Sequence, residues 1–293
     1  MIRPLGPVRS NPPAMADRLR LDCAAATVLR PVAATITVLS QKGGTGKTTT
    51  VRTLTDVYRR AGLGVLCVDL DPQGNLSDYF DVPADASPTV ADVLAGQARA
   101  ADAIHDGVLP ANLGLAEAEV ILAGKMGREL TLKRALRDVK RSYDLVLVDC
   151  PPSLGLLTVN ALVAADHALI SSEAEYFSLQ GVEQALEVVE LAKESLHPDL
   201  DWLGVVLNIA DMRLVHAREA LKSLRERFGE KVFESVIRRS VRYAESAERG
   251  VSILDYAPDL GDDYRALASE VLGHLGGFEE TRARLNGSQA AIP

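Results

Sequence analysis

Short, nearly continuous apolar runs recur along the chain, separated by longer stretches with helical spacing. The clearest runs are Thr35-Ile36-Thr37-Val38-Leu39-Ser40, Val65-Leu66-Cys67-Val68-Asp69 and Tyr143-Asp144-Leu145-Val146-Leu147-Val148-Asp149. Runs of this length without polar alternation read as strands buried on both faces, as in a parallel sheet covered by helices. Residues 166–171 and 203–208 give two more strands, Leu113-Gly114-Leu115 a short one, and Val232-Phe233 opens another. Helical spacing marks residues 47–60, 127–140, 180–195, 214–227 and 262–275. Leu130, Leu132, Leu136 and Val139 fall on or near one face of the second. Val182, Leu186, Val189 and Ala192 are in register on the third. Residues 77–107 are irregular, with weak helix at 89–95 and 100–104. The alternation predicts an α/β fold: one doubly wound, mostly parallel sheet with helices on both faces, over about residues 35–276.

The flanks differ in composition. Residues 1–34 hold Pro4, Pro7, Pro12, Pro13 and Pro31, with Arg3, Arg9, Arg18, Arg20 and Arg30 against Asp17 and Asp22. A secretory leader needs an apolar core, which this segment lacks, so it reads as a disordered basic extension. Residues 277–293 read as a frayed polar tail.

Composition narrows the class. The 293 residues are 47% hydrophobic but only 4% aromatic, so aliphatic side chains must fill the core. The formal charge is −8, so binding to nucleic acid would need a local basic patch. Cys23, Cys67 and Cys150 lack metal-ligand spacing, which suits a reduced cytoplasmic protein. No apolar run reaches the length of a membrane span.

Candidate chemistry begins between the first strand and first helix. Lys42-Gly43-Gly44-Thr45-Gly46-Lys47-Thr48-Thr49 is a phosphate-binding loop in its expected setting. The glycines let the backbone close on phosphate oxygens, and the helix N-terminus adds free N–H groups. Lys47 is expected on the β- and γ-phosphates of ATP, the Thr48 hydroxyl on Mg2+, and Thr49 on a phosphate nearer the nucleoside. The ordinary motif begins with glycine; here Gln41 stands in that place.

Lys42 is the mark of the deviant Walker A group, and the chain resembles the ParA family of partition ATPases, in a short form without a large N-terminal helix-turn-helix domain. The resemblance extends through Asp69-Leu70-Asp71-Pro72-Gln73-Gly74-Asn75 and Asp144-Leu145-Val146-Leu147-Val148-Asp149-Cys150-Pro151-Pro152. It continues through Glu175-Tyr176-Phe177-Ser178-Leu179-Gln180-Gly181 and Asp255-Tyr256-Ala257-Pro258. It implies a slow, Mg-dependent ATPase that forms an ATP-bound sandwich homodimer and binds DNA non-specifically. A ParB-type centromere-binding protein would stimulate hydrolysis and reset the dimer. It implies a cytoplasmic, nucleoid-associated protein without stable membrane association, and a Lys42 that reaches the partner subunit's phosphates. A MinD-like membrane ATPase is the alternative; it would need a basic amphipathic C-terminal helix, and residues 276–285 have little apolar face.

The carboxylates fit this scheme. Asp149 ends a buried strand, where a charge is costly unless it serves a cation. Asp71 is the candidate to position or deprotonate the attacking water, and Thr48, Asp71 and Asp149 form the expected magnesium set. Asp69 is expected to support the loop or the metal shell. In the family an Asn at the end of a late strand reads adenine, which implies Asn208. The family also has a proline where this chain has Arg238. From Arg213 to Arg249, ten Lys/Arg face six Glu, a local net of +4. Arg213, Arg239 and Arg242 are the leading DNA contacts, with Arg218 and Arg238 behind them.

Overall fold

The computed structural model describes residues 33–175 and 177–289. The expectation for the N-terminal extension falls outside these residues up to position 32. Seven strands form one sheet in the order β3-β2-β4-β1-β5-β6-β7, and every pairing within it is parallel. The strands are β1 (Ala34–Leu39), β2 (Val65–Asp69), β3 (Val108–Leu109), β4 (Leu145–Asp149), β5 (His167–Glu173), β6 (Asp201–Ala210) and β7 (Val232–Arg238). This is the doubly wound α/β fold expected from the alternating pattern.

The helices are α1 (Lys47–Arg60), α2 (Asn75–Tyr79), α3 (Val90–Ala95), α4 (Gly114–Ala123), α5 (Thr131–Leu136) and α6 (Leu156–Ala164). They continue with α7 (Ser178–Ser195), α8 (Val215–Phe228), α9 (Arg242–Glu248), α10 (Ile253–Tyr256), α11 (Pro258–Leu275) and α12 (Glu279–Gln289). Strand side chains alternate between two cores. Leu145 and Leu147 pack with Ile36, Val51 and Leu267 on the α1/α11 side. Val146 and Val148 pack with Leu39, Leu162 and Val189 on the α6/α7 side. Burial on both faces explains why the strands read as unbroken apolar runs.

β1 lies at the middle of the sheet, with β4 on one side and β5 on the other. Chain direction across the sheet reverses there. Ligands of open α/β sheets bind outside the carboxyl ends of strands at such a point. The loop after β1 therefore opens where the topology makes a crevice.

Three sequence expectations need correction. Leu113-Gly114-Leu115 is not a strand: the Asn112 side chain accepts the Gly114 N–H at 3.0 Å and α4 begins there. The edge strand is Val108–Leu109, too short to produce a pattern. Residues 127–140 do not form one helix. They break into a 3-10 turn, α5 and a second 3-10 turn, and the N–H of Leu132 is taken by Asn160 Oδ1 of α6 at 3.2 Å. The C-terminal tail is ordered as α12 over Glu279–Gln289, held on α11 by Arg282, which donates to Ser269 O at 3.0 Å, and by the burial of Leu285.

Candidate nucleotide site

The phosphate loop is shaped by hydroxyls beneath it. Ser40 Oγ donates to Lys42 O at 2.7 Å and lies 2.8 Å from Thr45 Oγ1. Gly46, at φ +83°, turns the chain into α1. Lys47 folds back into the cradle, donating to Ser40 Oγ and Lys42 O, both at 3.0 Å. These oxygens stand where a phosphate would offer anionic acceptors. Burial lowers the Lys47 pKa, against the pull of Asp149. An ammonium in that position gains from an anion beside it.

Thr48 Oγ1 donates to Asp149 Oδ2 at 2.6 Å. That orients the hydroxyl so that its oxygen lone pairs remain for a cation. Asp149 Oδ1 is buried and has no hydrogen-bond partner among the described residues. Burial, reinforced by Asp69, raises the Asp149 pKa well above the usual carboxylate range. A buried, half-satisfied carboxylate beside a threonine hydroxyl fits a divalent cation, directly or through water. These features meet the requirements of a Mg–nucleotide site.

Asp69 and Asp71 divide the work on the next loop. Asp69 Oδ1 accepts the Asp71 N–H at 3.1 Å, and its Oδ2 accepts Ser77 N at 3.0 Å and Ser77 Oγ at 2.7 Å. Burial still pushes its pKa up to about 6. Asp69 is thus a structural anchor for the loop. Asp71 borders the cleft, and its Oδ1 accepts the Gln73 N–H at 3.0 Å.

A cleft of about 530 Å³ runs from Gly43–Thr49, past Asp71, to a wall made by Ile237, Arg239, Tyr243 and Ala247. Ile209 borders it with φ +53°, a strained conformation for a β-branched residue. Arg52, one turn beyond Thr48 on α1, is buried against the same cleft. Its Nη2 donates to Tyr243 O at 2.7 Å, and its guanidinium stacks 4.6 Å from the Tyr79 ring centroid. Burial lowers its pKa. Arg52 therefore fastens α9 and α2 to the phosphate-loop helix.

Asn208 borders the cleft, but both hydrogen bonds of its amide nitrogen point under the loop. Nδ2 donates to Ser171 Oγ at 2.7 Å and to Thr50 Oγ1 at 3.2 Å. Lys42 stands apart from Lys47, facing outward to Glu175 at 3.7 Å.

A family profile described as "AAA domain" matches residues 33–202. The sporulation initiation inhibitor protein Soj of Bacillus subtilis is 40% identical over 245 residues, 80% of this chain and 97% of that protein. The chromosome-partitioning ATPase Soj of Thermus thermophilus is 41% identical over 253 residues, 85% of this chain and 99% of that protein. The chain belongs to the ParA/Soj family of partition ATPases. Among solved structures, one described as cobyrinic acid a,c-diamide synthase of Mycobacterium smegmatis, with bound ADP and magnesium, has a TM-score of 0.68. It is 36% identical, covering 74% of this chain and 93% of that one.

Within this ParA/Soj chain the five DNA-candidate arginines gather around the β6 and β7 ends, where Ala210 pairs with Arg238. Four of them face carboxylates. Arg213 is bidentate to Asp211 at 2.8 and 2.7 Å, and Arg238 lies 2.9 Å from Asp263. Arg239 lies 3.1 Å from Glu173, and Arg242 lies 3.8 Å from Asp259. Arg218 donates to the carbonyls of Met212 and Arg213 at 3.1 and 2.9 Å. The +4 of the linear count is thus offset in space by acids from outside residues 213–249. The sequence pattern assigned no role to Ser171, Arg52 or Glu175. Ser171 left one signal, a polar residue ending a buried apolar run, and Glu175 opened a family-like segment; Arg52 left none.

Proposed function

We propose that the chain is a DNA-partition ATPase that acts as an ATP-dependent homodimer on non-specific DNA, with a ParB-type protein as its reset signal. ATP and Mg2+ fit the cradle built by Gly43–Thr49, as the bound ADP and magnesium of the M. smegmatis structure also suggest. Gly43, Gly44, Thr45, Gly46, Lys47, Thr48 and Thr49 hold the phosphates. Asn208 also serves the nucleotide. Thr48 and Asp149, with Asp71 nearby, hold the cation, which supplies charge neutralisation at the phosphate oxygens. Asp71 positions the attacking water. Lys47 stabilises charge on the phosphates of its own subunit and Lys42 on those of the partner. Nucleoid association follows from DNA binding.

The observation that carries this reading is the opposed direction of two lysines on one loop. Lys47 turns into the cradle, while Lys42 is held outside it by Glu175. A lysine on the outer rim suits a phosphate presented by a second copy. The test is DNA binding by wild type and Lys42→Ala with ATP, ADP and no nucleotide. Binding with ATP alone, lost in the variant, is expected. Binding that ignores nucleotide would overturn the reading.

A further inference from the structure

A chain of buried hydrogen bonds runs beneath the phosphate loop. Ser171 Oγ, on β5, donates to the carbonyl of Thr45 at 2.7 Å. Asn208 Nδ2, on β6, donates to Ser171 Oγ at 2.7 Å and to Thr50 Oγ1, on α1, at 3.2 Å. Thr50 Oγ1 lies 3.4 Å from Tyr264 Oη on α11. Ser171, Asn208, Thr50 and Tyr264 are each at most 1% exposed.

The direction of these bonds is fixed by proton counting. A serine hydroxyl has one proton to give. Ser171 gives it to Thr45 O, so it must accept from its other neighbour. That neighbour must then present an N–H, which sets the Asn208 amide with Nδ2 toward Ser171. Oδ1 is left buried without a partner among the described residues. Both N–H directions of the amide are occupied under the loop, and Oδ1, though without a partner among those residues, is closed off from the cleft, so neither end of the amide is presented to a base.

The bond to Thr45 O has a further effect. In a trans peptide the C=O and the following N–H point opposite ways. Pulling the Thr45 carbonyl down onto β5 therefore turns the Gly46 N–H up, away from the sheet. Asn208 packs directly against the same residue: a Cβ built on Gly46 would meet Asn208 Cγ and Nδ2, each at 3.2 Å.

We infer that Ser171 and Asn208 are positioning residues that aim the Gly46 N–H at the phosphates, and that Asn208 serves nucleotide binding through the loop rather than by reading the base. The inference rests on the nucleotide-site reading above. Ser171 does not border the cleft, so any effect of its variant on binding must travel through its two partners, the Thr45 carbonyl and Asn208.

The test measures the affinity of wild type, Ser171→Ala, Asn208→Ala and the double variant for Mg–ATP and for Mg–inorganic triphosphate, which has no base. Loss of one net hydrogen bond corresponds to about tenfold in affinity. Each single variant is expected to lose about that factor for both ligands. The double variant should lose less than the product of the two, because both act through one carbonyl. Thermal melting of each variant accounts for any loss of fold. Asn208→Ala weakening ATP while leaving triphosphate at its wild-type affinity assigns the residue to the base and overturns the inference. So does Ser171→Ala that melts and binds ATP as wild type does; this milder variant decides the matter if Asn208→Ala fails to fold. Wild type that does not bind Mg–ATP sinks the nucleotide site itself, a separate failure.

Discussion

Lys42 Nζ lies 3.7 Å from Glu175 Oε2 and 5.8 Å above the Phe177 ring, whereas the Lys47 ammonium bonds to Ser40 Oγ and Lys42 O. The pair is half-exposed, and such pairs are worth about 0–1 kcal/mol. If Lys42 serves a second subunit, it must first leave Glu175. Glu175→Gln is expected to lower the protein concentration for ATP-dependent dimerisation by up to about fivefold. Light scattering against concentration checks it; a dimer that forms less readily would speak against the outward role of Lys42.

The two ends of the catalytic set should separate kinetically. Lys47→Ala removes the ammonium turned into the cradle and should abolish ATP binding. Asp71→Ala should still bind ATP, with turnover reduced by about 10²–10⁴, the usual weight of a general base. Calorimetry and phosphate release measure the two effects. Normal turnover in the Asp71 variant removes that residue from the reaction.

Proton release should accompany binding. Burial and Asp69 raise the Asp149 pKa in the free protein. A cation beside it favours the ionised form. Binding therefore lowers a raised pKa, releases protons and strengthens as pH rises through the range where free Asp149 still holds its proton. Titration calorimetry of Mg–ATP in buffers of different ionisation enthalpy reads the release. Asp149→Asn should show less of it, and equal release in both proteins would exclude Asp149 as the source.

Arg52 is a buried cation that donates to uncharged acceptors, Tyr243 O and, at 3.5 Å, Ser246 Oγ. Losing a charged hydrogen bond costs about 1.5–3 kcal/mol, but relief from desolvation offsets much of that. Arg52→Met should thus change the melting temperature by only a few degrees while weakening ATP binding severalfold, because the α9 wall of the cleft loses its tie. Melting and equilibrium binding on one preparation separate the effects. A large stability loss with unchanged affinity would make Arg52 a core residue only.

Paired arginines also give a signed prediction for DNA. Asp259 lies 3.9 Å from Arg238 and 3.8 Å from Arg242. Asp259→Asn should tighten ATP-dependent DNA binding by about threefold at low salt and steepen its salt dependence, whereas Arg242→Glu should weaken it. Fluorescence anisotropy across a salt series reads both. Equal, salt-independent affinities in the three proteins would remove this edge as the DNA surface.

The buried strands and the loop around Lys47 were legible because each is written in contiguous residues. Val65–Asp69 and Leu145–Asp149 advertise two-sided burial through unbroken apolar runs. The two-residue edge strand at Val108 has no room for a pattern. The charge balance of the arginine edge was not legible for a different reason. Counting along residues 213–249 misses Asp211, Asp259, Asp263 and Glu173, which strand register and helix packing bring to the same place. Asn208 was visible as a polar residue ending a buried strand, but the direction of its amide depends on Ser171, 37 positions away.

Arg52 and Lys47 sit on the same helix, and no loop lies between them. One end of that helix carries the phosphate cradle. Further along, Arg52 grips the carbonyl of Tyr243, the residue after Arg242. A displacement of that helix would bear on the start of α9 through this bond, with no loop in between. The phosphate cradle and the residue next to Arg242 are thus joined through one helix and one side chain.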